Sequence, residues 1–345
     1  MKKHKHHAVI RILKNDHESK PSLDEVKKYN EILSKIKVET ARTIVGQKEV
    51  VNGLLRAILC DGHVLLEGIP GIAKTLIVRT LAQVTGGKYS RVQFTADLLP
   101  SDITGLVSYN KEKNEFVVIK GPIFSNYVIA DEVNRSPPKV QSSVLEAMQE
   151  RQVTIGNNTY PLPRPFFVMA TQNPIESSGV YPLPEAQLDR FLFKIKISYP
   201  KIEEESSILK KNITLNRFED YQLKQTSNPQ EIIKMQEFIK KIYLSKDIEN
   251  YIVKIIDATR NSAKYKLSLG HYIEWGCSPR GSIGLFIASK AEALLHGSNY
   301  VTPQHVKTVA YDVMRHRILL NYEGQAENVK TEDIIKEILQ RVPVP

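Results

Sequence analysis

The fold is decided by residues 63–75, which read HVLLEGIPGIAKT. The apolar run 63–67 has the length of a buried strand, a glycine-rich turn follows it, and Lys74 and Thr75 open a segment with apolar residues at helical spacing. A strand, a glycine-rich loop and a helix in this order are typical of a site that wraps around phosphate groups. Backbone N–H groups and the helix N-terminus would surround the phosphates, Lys74 would reach the β and γ oxygens, and the Thr75 hydroxyl would ligate Mg²⁺.

One position of this loop departs from the general phosphate-loop pattern. The residue before the lysine is Ala73 instead of glycine, which adds a Cβ where the backbone approaches the phosphates. A chance glycine-rich turn is the alternative, and the flanking strand and helix argue against it. The residues predicted to bind the nucleotide here are Gly68, Pro70, Gly71, Ile72, Ala73, Lys74, Thr75 and Leu76.

Two further apolar runs end in residues suited to phosphate chemistry. Asp131-Glu132 closes the run 127–130, and Asn173 comes shortly after the run 166–171. Open parallel sheets bind ligands at the carboxyl ends of their strands, so these side chains are expected beside the loop. Asp131 would hold Mg²⁺ through its water shell, Glu132 would act as general base on the attacking water, and Asn173 would orient that water or contact the γ-phosphate. Alternatively, the acidic pair caps a turn and Asn173 starts one.

Two arginines are candidates for neutralising charge in the transition state. Arg190 follows a short helical segment and precedes a strand, where it could face a neighbouring subunit or pair locally with Asp189 or Glu185. Arg280 lies one residue inside a helix begun by Ser278-Pro279, and its charge opposes the helix dipole there at a cost of ~0.3–1 kcal/mol. That cost favours a bound anion over an ordinary surface arginine. If the helical domain folds over the nucleotide, Arg280 would contact the γ-phosphate.

The chain divides into a strand-and-helix part and a helical part. Over 21–198 short apolar runs alternate with helical segments, which predicts an α/β domain with a mostly parallel sheet. The predicted strands are 63–67, 89–94, 127–130, 166–171 and 191–197, with the first, third and fourth fully buried and the alternating last one at an edge. Over 199–345 an N-cap followed by proline recurs, as in Asn228-Pro229 and Thr302-Pro303, which predicts a small all-α domain.

Composition excludes several classes of protein. With 41% apolar and 25% charged residues among 345, the chain is not of the disordered or low-complexity kind. Its two cysteines, Cys60 and Cys277, are too far apart for a zinc ribbon or a disulfide scaffold, and no apolar run reaches the ~18 residues of a membrane span. We therefore expect a soluble protein of a reducing compartment, the cytoplasm.

The net charge of +10 is concentrated at one end. Residues 1–20 carry six basic and two acidic residues besides several histidines, so +6 remains for the rest of the chain. The segment 1–20 is compatible with a solubilising tail, or with a weak metal or nucleic-acid contact. The mild charge elsewhere argues against a nucleic-acid partner.

With these motifs the chain resembles the AAA+ ATPases and, within them, the MoxR family. The resemblance spans about residues 40–320. Its segments are VGQ (45–47), FTADLLPSDITG (94–105), GP (121–122), ADEVNRSPPKVQSSVLEAMQERQVT (130–154), ATQNPIESSGVYPLPEAQLDRFL (170–192) and SPR (278–280). By this resemblance Lys74 and Thr75 are Walker A residues, Asp131 and Glu132 form Walker B, Asn173 is sensor 1, Arg190 is the arginine finger and Arg280 is sensor 2. The family commonly has alanine at the position of Ala73.

The resemblance implies a fold, cofactors and partners. The fold is the P-loop NTPase (AAA+) parallel sheet flanked by helices, followed by a small all-α lid domain. The cofactors are ATP/ADP and Mg²⁺, with adenine resting near Val45, Gly46 and Gln47, although Gln47 is equally suited to the surface near a helix N-cap. The family implies a homo-oligomer, a hexamer, that remodels or matures client proteins in a chaperone-like way, often with a partner carrying a von Willebrand factor A domain.

Two predicted hairpins gain a meaning from the resemblance. Strands 106–109 and 116–119 flank one polar turn, and strands 152–155 and 159–162 flank another. They are either sheet decoration or the helix-2 insert and pre-sensor-1 hairpin, which move with nucleotide state in related ATPases. Two other functions stay open: a helicase-like nucleic-acid motor, and a nucleotide-controlled scaffold with little turnover.

Overall fold

The computed structural model describes residues 20–68, 74–173, 179–212 and 217–345. Within them, five strands form a parallel sheet: β1 (Val64–Glu67), β2 (Tyr89–Gln93), β5 (Tyr127–Asp131), β8 (Phe167–Gln172) and β9 (Phe193–Lys196). Their order across the sheet is β2-β5-β8-β1-β9. The prediction of a parallel α/β sheet is confirmed, with the three buried runs at its centre and β9 at an edge.

Among the residues that the structure describes, three antiparallel pairs lie outside the main sheet. They are β3 (Gly105–Asn110) with β4 (Glu115–Lys120), β6 (Gln152–Ile155) with β7 (Asn158–Pro161), and β10 (Ile273–Trp275) with β11 (Leu319–Leu320). The first two confirm the predicted hairpins. The third was not predicted, because strands of two or three residues are too short to show a period of two.

The helices fall into an N-terminal and a C-terminal set. The first set is α1 (Leu23–Thr40), α2 (Lys48–Leu59), α3 (Lys74–Val84), α4 (Pro100–Thr104), α5 (Pro138–Glu150), α6 (Glu185–Leu188) and α7 (Ile202–Asn212). The second is α8 (Pro229–Lys241), α9 (Lys246–Arg260), α10 (Pro279–Leu295), α11 (Pro303–Met314), α12 (Tyr322–Ala326) and α13 (Thr331–Arg341). The helix starts predicted at Asn228, Ser278 and Thr302 are confirmed, since each side chain accepts a backbone N–H of the first turn.

The two faces of the sheet pack against different partners. Residues alternate along β1, so Val64 and Leu66 face one way and Leu65 the other. The first face belongs to a buried apolar cluster that runs through α1, α2 and α3 into α8–α11 and α13. The second face packs under α4, α5 and the β6–β7 hairpin. The helical part is therefore joined to the sheet by a continuous core, and the boundary at 198–199 stays a prediction.

The parallel strands all begin on one side of the sheet, called the amino edge, and all end on the other, called the carboxyl edge. The two sides carry different residues. Glu67 is in register with Gln172 and with Lys196, and Gln93 with Asp131, so the carboxyl ends of these strands meet at one edge. The chain just before Phe193 lies at the amino edge, with His63. Most of the predicted basic tail, residues 1–19, lies outside the described residues. No helix in the described part of the chain is long and apolar enough to cross a membrane.

Candidate active site

Lys74 lies at the carboxyl edge of the sheet, where α3 begins. Its Nζ donates to the carbonyl oxygen of Gly68, at the end of β1. Burial lowers the pKa of Lys74, and the nearby carboxylates of Asp131 and Glu132 act in the opposite direction. The lysine therefore stands within electrostatic reach of the acidic pair, as the sequence predicted. The loop residues Pro70, Gly71, Ile72 and Ala73 lie outside the described residues.

Asp131 ends β5 and both of its carboxylate oxygens have partners. The Thr171 hydroxyl donates to Oδ1 at 2.6 Å. The guanidinium of Arg91, half exposed, contacts Oδ2 through Nη2 at 2.7 Å and Nε at 3.1 Å. Since Arg91 reaches solvent, its end of the carboxylate is the one that can be exchanged for another ligand. The oxygens of Asp131 and of Thr75, at the start of α3, are the hard ligands that Mg²⁺ prefers, so the donor set fits this ion.

Glu132 has a left-handed backbone, with φ of 56° and ψ of 50°. For a residue with a Cβ this conformation costs on the order of 1–2 kcal/mol. The Glu132 N–H donates to the Thr171 hydroxyl at 2.8 Å, which fixes the strained turn. Gln93 donates to Oε2 at 2.8 Å, and Arg135 pairs with the same oxygen at 3.0 Å. The side chain makes no cap bond to the short helical turn that follows, so the capping alternative lacks its contact.

Asn173 directly follows β8 and is buried at the same edge. Gly68 is also buried there, and its N–H donates to the carbonyl of Gln172 at 3.4 Å. Lys74, Asp131, Glu132 and Asn173, drawn from three strand ends, thus share one edge of the sheet. This convergence is what the spacing of the motifs predicted.

The segment predicted to contact the base leads into α2. Gly46 has φ of 77°, a conformation that favours glycine, and a Cβ built on it would lie 2.6 Å from a carboxylate oxygen at the flexible end of Glu204. Gln47 is the N-cap residue of α2 without a side-chain cap bond, and its Nε2 donates to the Ser198 carbonyl at 3.2 Å. Val45, Gly46 and Gln47 are half-buried. Their role toward the base stays a prediction.

Arg190 and Arg280 lie together at the opposite, amino edge. Arg190 is exposed and stands three residues before β9, whereas the phosphate loop follows the far end of the adjacent β1. At ~3.3 Å per residue, the four residues of β1 alone hold these ends about 10 Å apart. Nη1 of Arg280 lies 3.5 Å from Oδ2 of Asp189, the residue before Arg190.

The placement of Arg280 differs from the geometry expected of a helical domain folded over its own nucleotide. Its helix, α10, is tied to the amino edge because the N-cap hydroxyl of Ser278 donates to Asp189 at 2.9 Å. Asp189 is also paired with Arg317, so this carboxylate is engaged by the helical part and not by Arg190. The structure therefore groups the two predicted arginines and separates them from Lys74, Glu132 and Asn173.

Sequence reasoning missed several residues that shape these two clusters. Thr171, Arg91, Gln93 and Arg135 hold the acidic pair. A hydroxyl at the end of a buried apolar run was a usable signal for Thr171, because buried polar groups require partners. The sequence contains no such signal for Arg317, because it lies 128 residues from its partner Asp189 along the chain.

Comparison with known proteins agrees with this geometry. Residues 63–193 match the family "ATPase family associated with various cellular activities (AAA)", and residues 269–338 match the AAA lid domain. Chaperone MoxR1 of Mycobacterium tuberculosis is 46% identical over 309 residues, which cover 89% of this chain and 81% of that protein. Protein MoxR of Paracoccus denitrificans is 32% identical over 88% of this chain and 93% of its own. The crystal structure of a candidate ATPase from Cytophaga hutchinsonii superimposes with a TM-score of 0.87 at 46% identity and covers 93% of this chain and 97% of that one.

Proposed function

The chain belongs to the MoxR family of AAA+ ATPases, and on that premise we propose that it binds and hydrolyses ATP at the carboxyl edge of its sheet. The observation that carries the proposal is the convergence of Lys74, Asp131, Glu132 and Asn173 there. A cation, an acidic pair and a buried amide at strand ends are the parts that phosphoryl transfer to water requires.

Each residue of the edge has a distinct task in this proposal. Lys74 binds the β- and γ-phosphates, and Glu132 takes the proton of the attacking water while Asn173 orients that water. Thr171 holds the Glu132 backbone in place through its hydroxyl. Thr75 and Asp131 would hold Mg²⁺, which when bound supplies positive charge against the phosphate oxygens. Backbone groups of Val45, Gly46 and Gln47 contact the adenine of ATP or ADP.

Arg190 and Arg280 act on the nucleotide of a neighbouring subunit. Within one chain they lie at the amino edge, away from Lys74, and Arg190 is exposed. A subunit with its phosphate loop on one side and its arginines on another binds its copies head to tail. Such head-to-tail contacts form a closed ring when the rotation between neighbouring subunits divides a full turn. We propose a hexameric ring on the basis of family membership.

The hydrolysis cycle serves to remodel or mature other proteins. The relative from Mycobacterium tuberculosis is named a chaperone, and this chain shares 46% of its residues over the aligned region. The β3–β4 hairpin exposes apolar side chains, among them Phe116 and Ile119, which suits contact with a client or with a partner that carries a von Willebrand factor A domain.

The experiment that tests the proposal is phosphate release from ATP and Mg²⁺ as a function of protein concentration. The wild type should show a rate that rises faster than linearly, because assembly completes the site. Glu132→Gln should lower the rate by ~10²–10⁴-fold while the protein still binds ATP. Arg190→Ala should lower it by ~10³–10⁵-fold with unchanged affinity for ATP.

Two results would contradict parts of this proposal. A wild-type rate no higher than that of Glu132→Gln would favour a nucleotide-controlled scaffold. An Arg190→Ala rate equal to the wild type would show that each subunit hydrolyses ATP without its neighbour. Lys74→Ala, which should lose ATP binding altogether, is the control that separates binding from turnover.

A further inference from the structure

Arg317 is a buried arginine of the helical part whose guanidinium lies against the segment that carries Arg190. It stands three residues after α11 and is 6% exposed. Its Nη2 donates to the carbonyl oxygens of Asp189, at 3.3 Å, and Phe191, at 2.7 Å, which flank Arg190 on both sides. Its Nη1 donates to the next carbonyl, that of Leu192, at 3.1 Å.

The remaining N–H groups of Arg317 are also engaged. Nε donates to Oδ1 of Asp189 at 2.8 Å, and Nη1 makes a second contact with the carbonyl of Val313 in α11. A guanidinium has five N–H donors in a rigid planar fork, and these five contacts use all of them. The side chain thus locks three carbonyls and one carboxylate around Arg190 in a single geometry.

Neighbouring residues of the helical part reinforce the same segment. The ring Nε2 of His316 lies 3.0 Å from the Phe191 carbonyl, and the Ser278 hydroxyl donates to Asp189 at 2.9 Å. The Arg190 guanidinium itself is exposed, and no salt bridge within the described part of the chain holds it. The backbone of this arginine is therefore fixed from the helical part, while the residue itself is exposed to solvent.

Stability alone gives a weak reason for burying a charge here. Burial lowers the pKa of Arg317, and the attraction of Asp189 offsets this effect only in part. Buried ion pairs can often be replaced by apolar residues without loss of stability, whereas a five-donor fork gives a fixed geometry that no apolar side chain supplies.

We propose that Arg317 is a positioning residue for Arg190, so that the helical part of one subunit sets the placement of the arginine that acts on its neighbour's ATP. This inference rests on the proposed function. A displacement of about 1 Å at a catalytic group can lower a rate by ~10²-fold, so small shifts of the helical part would reach the neighbouring site through this contact.

The test combines a conservative substitution with mixed rings. Arg317→Lys keeps the positive charge but has three donors in place of five, and should lower the turnover number by about 10- to 100-fold. The affinity for ATP should stay within about two-fold of wild type, because the chain's own phosphate loop is distant. A merely structural role would not split the two quantities in this way.

Mixing Arg317→Lys with Glu132→Gln locates the defect. The Glu132→Gln subunit offers an intact Arg190 to the intact site of the Arg317→Lys subunit. An equimolar mixture should therefore recover about a quarter of the wild-type rate, since about a quarter of random contacts pair the two in the productive order. Neither variant alone should reach this rate.

Arg151→Lys is the matched control. Arg151 also donates to backbone carbonyls, those of Phe166 at 2.6 Å and of Asp61, and pairs with the Asp61 carboxylate at 3.3 Å. It lies at the same amino edge but outside the Arg190 segment. This variant should lower the melting temperature while keeping the turnover number.

The outcomes distinguish failure of the shared site from failure of the role proposed for Arg317. A mixture of Arg190→Ala with Glu132→Gln that gains no rate would refute the shared site, and the inference falls with it. If that mixture gains rate, a wild-type turnover number in Arg317→Lys overturns the inference, as does a loss that Glu132→Gln subunits cannot restore. Should Arg317→Lys fail to fold, Asp189→Asn replaces it, with the same loss and rescue expected and a wild-type rate overturning the proposal.

Discussion

At the scale of single residues, one hydroxyl serves both members of the acidic pair. Thr171 is 1% exposed; it donates to Asp131 at 2.6 Å and accepts the Glu132 N–H at 2.8 Å. Its single hydrogen is donated to the Asp131 carboxylate, and a lone pair of its oxygen accepts the Glu132 N–H. A carboxylate cannot donate and an amide N–H cannot accept, so the two contacts cannot swap roles. The hydroxyl holds a carboxylate at the end of β5 and a strained backbone one residue later.

Thr171→Val should therefore impair both stability and turnover. Valine has the same shape but leaves the Glu132 N–H without its acceptor, which should lower the free energy of unfolding by about 1–3 kcal/mol. Phosphate release should fall by about ten-fold or more as Glu132 shifts. Urea denaturation and steady-state phosphate release measure the two effects. Thr171→Ser, which keeps the hydroxyl, should restore the rate, and a valine variant with wild-type turnover would contradict this role for Thr171.

The sequence predicted the residues of the carboxyl edge better than their partners. Lys74, Asp131 and Asn173 follow strand-length apolar runs, and parallel strands must end at one edge, so local patterns sufficed. The contact of Asp131 with Thr171 depends on the register of β5 on β8, where Ala130 pairs with Ala170. The side chains of residues 131 and 171 meet because of that pairing, and no local pattern encodes it.

At the scale of elements, the β3–β4 hairpin projects apolar side chains to solvent. Phe116 is 75% and Ile119 53% exposed, and the ring of Phe116 meets that of Tyr109 edge-on at 5.3 Å. The two strand-length segments and the polar turn between them predicted the hairpin, because both strands pair locally. Its use in a functional contact remains part of the proposal.

Phe116→Ala should have little effect on stability. It removes one edge-to-face contact, worth about 0.5–1.5 kcal/mol, and almost no buried area. Phe166→Ala is the matched control, since Phe166 is buried against the sheet and its loss should cost about 3–5 kcal/mol. Urea denaturation of both variants gives the comparison. An equal loss in the two variants would mean that the hairpin is packed in the folded protein.

At the scale of the whole molecule, two buried histidines secure the amino edge. His63 accepts the Val168 N–H at Nδ1, at 3.0 Å, and its Nε2 lies 3.2 Å from the Met148 carbonyl, so Nε2 carries the proton. His316 links the helical part to the Phe191 carbonyl. Burial holds the pKa of both rings well below the usual value of 6.5.

The protein should therefore lose stability as the pH falls below about 6.5. Below that pH a histidine of the unfolded chain binds a proton and the two folded rings do not. Each ring's contribution to the free energy of unfolding is therefore complete above about pH 6.5 and falls below it by about 1.4 kcal/mol per pH unit. Urea denaturation between pH 7.5 and 5.5 measures the slope. His63→Gln should reduce the slope by the contribution of one histidine proton. His271 is exposed, so His271→Gln should leave the slope unchanged. An unaltered slope in His63→Gln would contradict the assignment.

The arrangement of the two parts of the chain could not be predicted from the sequence. N-cap and proline pairs predicted the C-terminal helices, but their position rests on distant contacts such as Arg56 with Glu292 at 2.5 Å, 236 residues apart. For the same reason Arg280, which was expected over the nucleotide of its own chain, lies instead beside Asp189 at the amino edge. Packing across a shared core decides this geometry, and no spacing along the chain records it.

The separation of Lys74 from Arg190 gives the molecule a polarity. In an open row of subunits joined head to tail, one terminal loop always lacks an arginine and one terminal arginine lacks a loop. The idle fraction is largest in short rows and vanishes only when the two ends meet. Under the proposed shared site, closure thus completes the last idle site without any change inside a subunit, and a single misassembled copy silences its neighbour's site as well as its own.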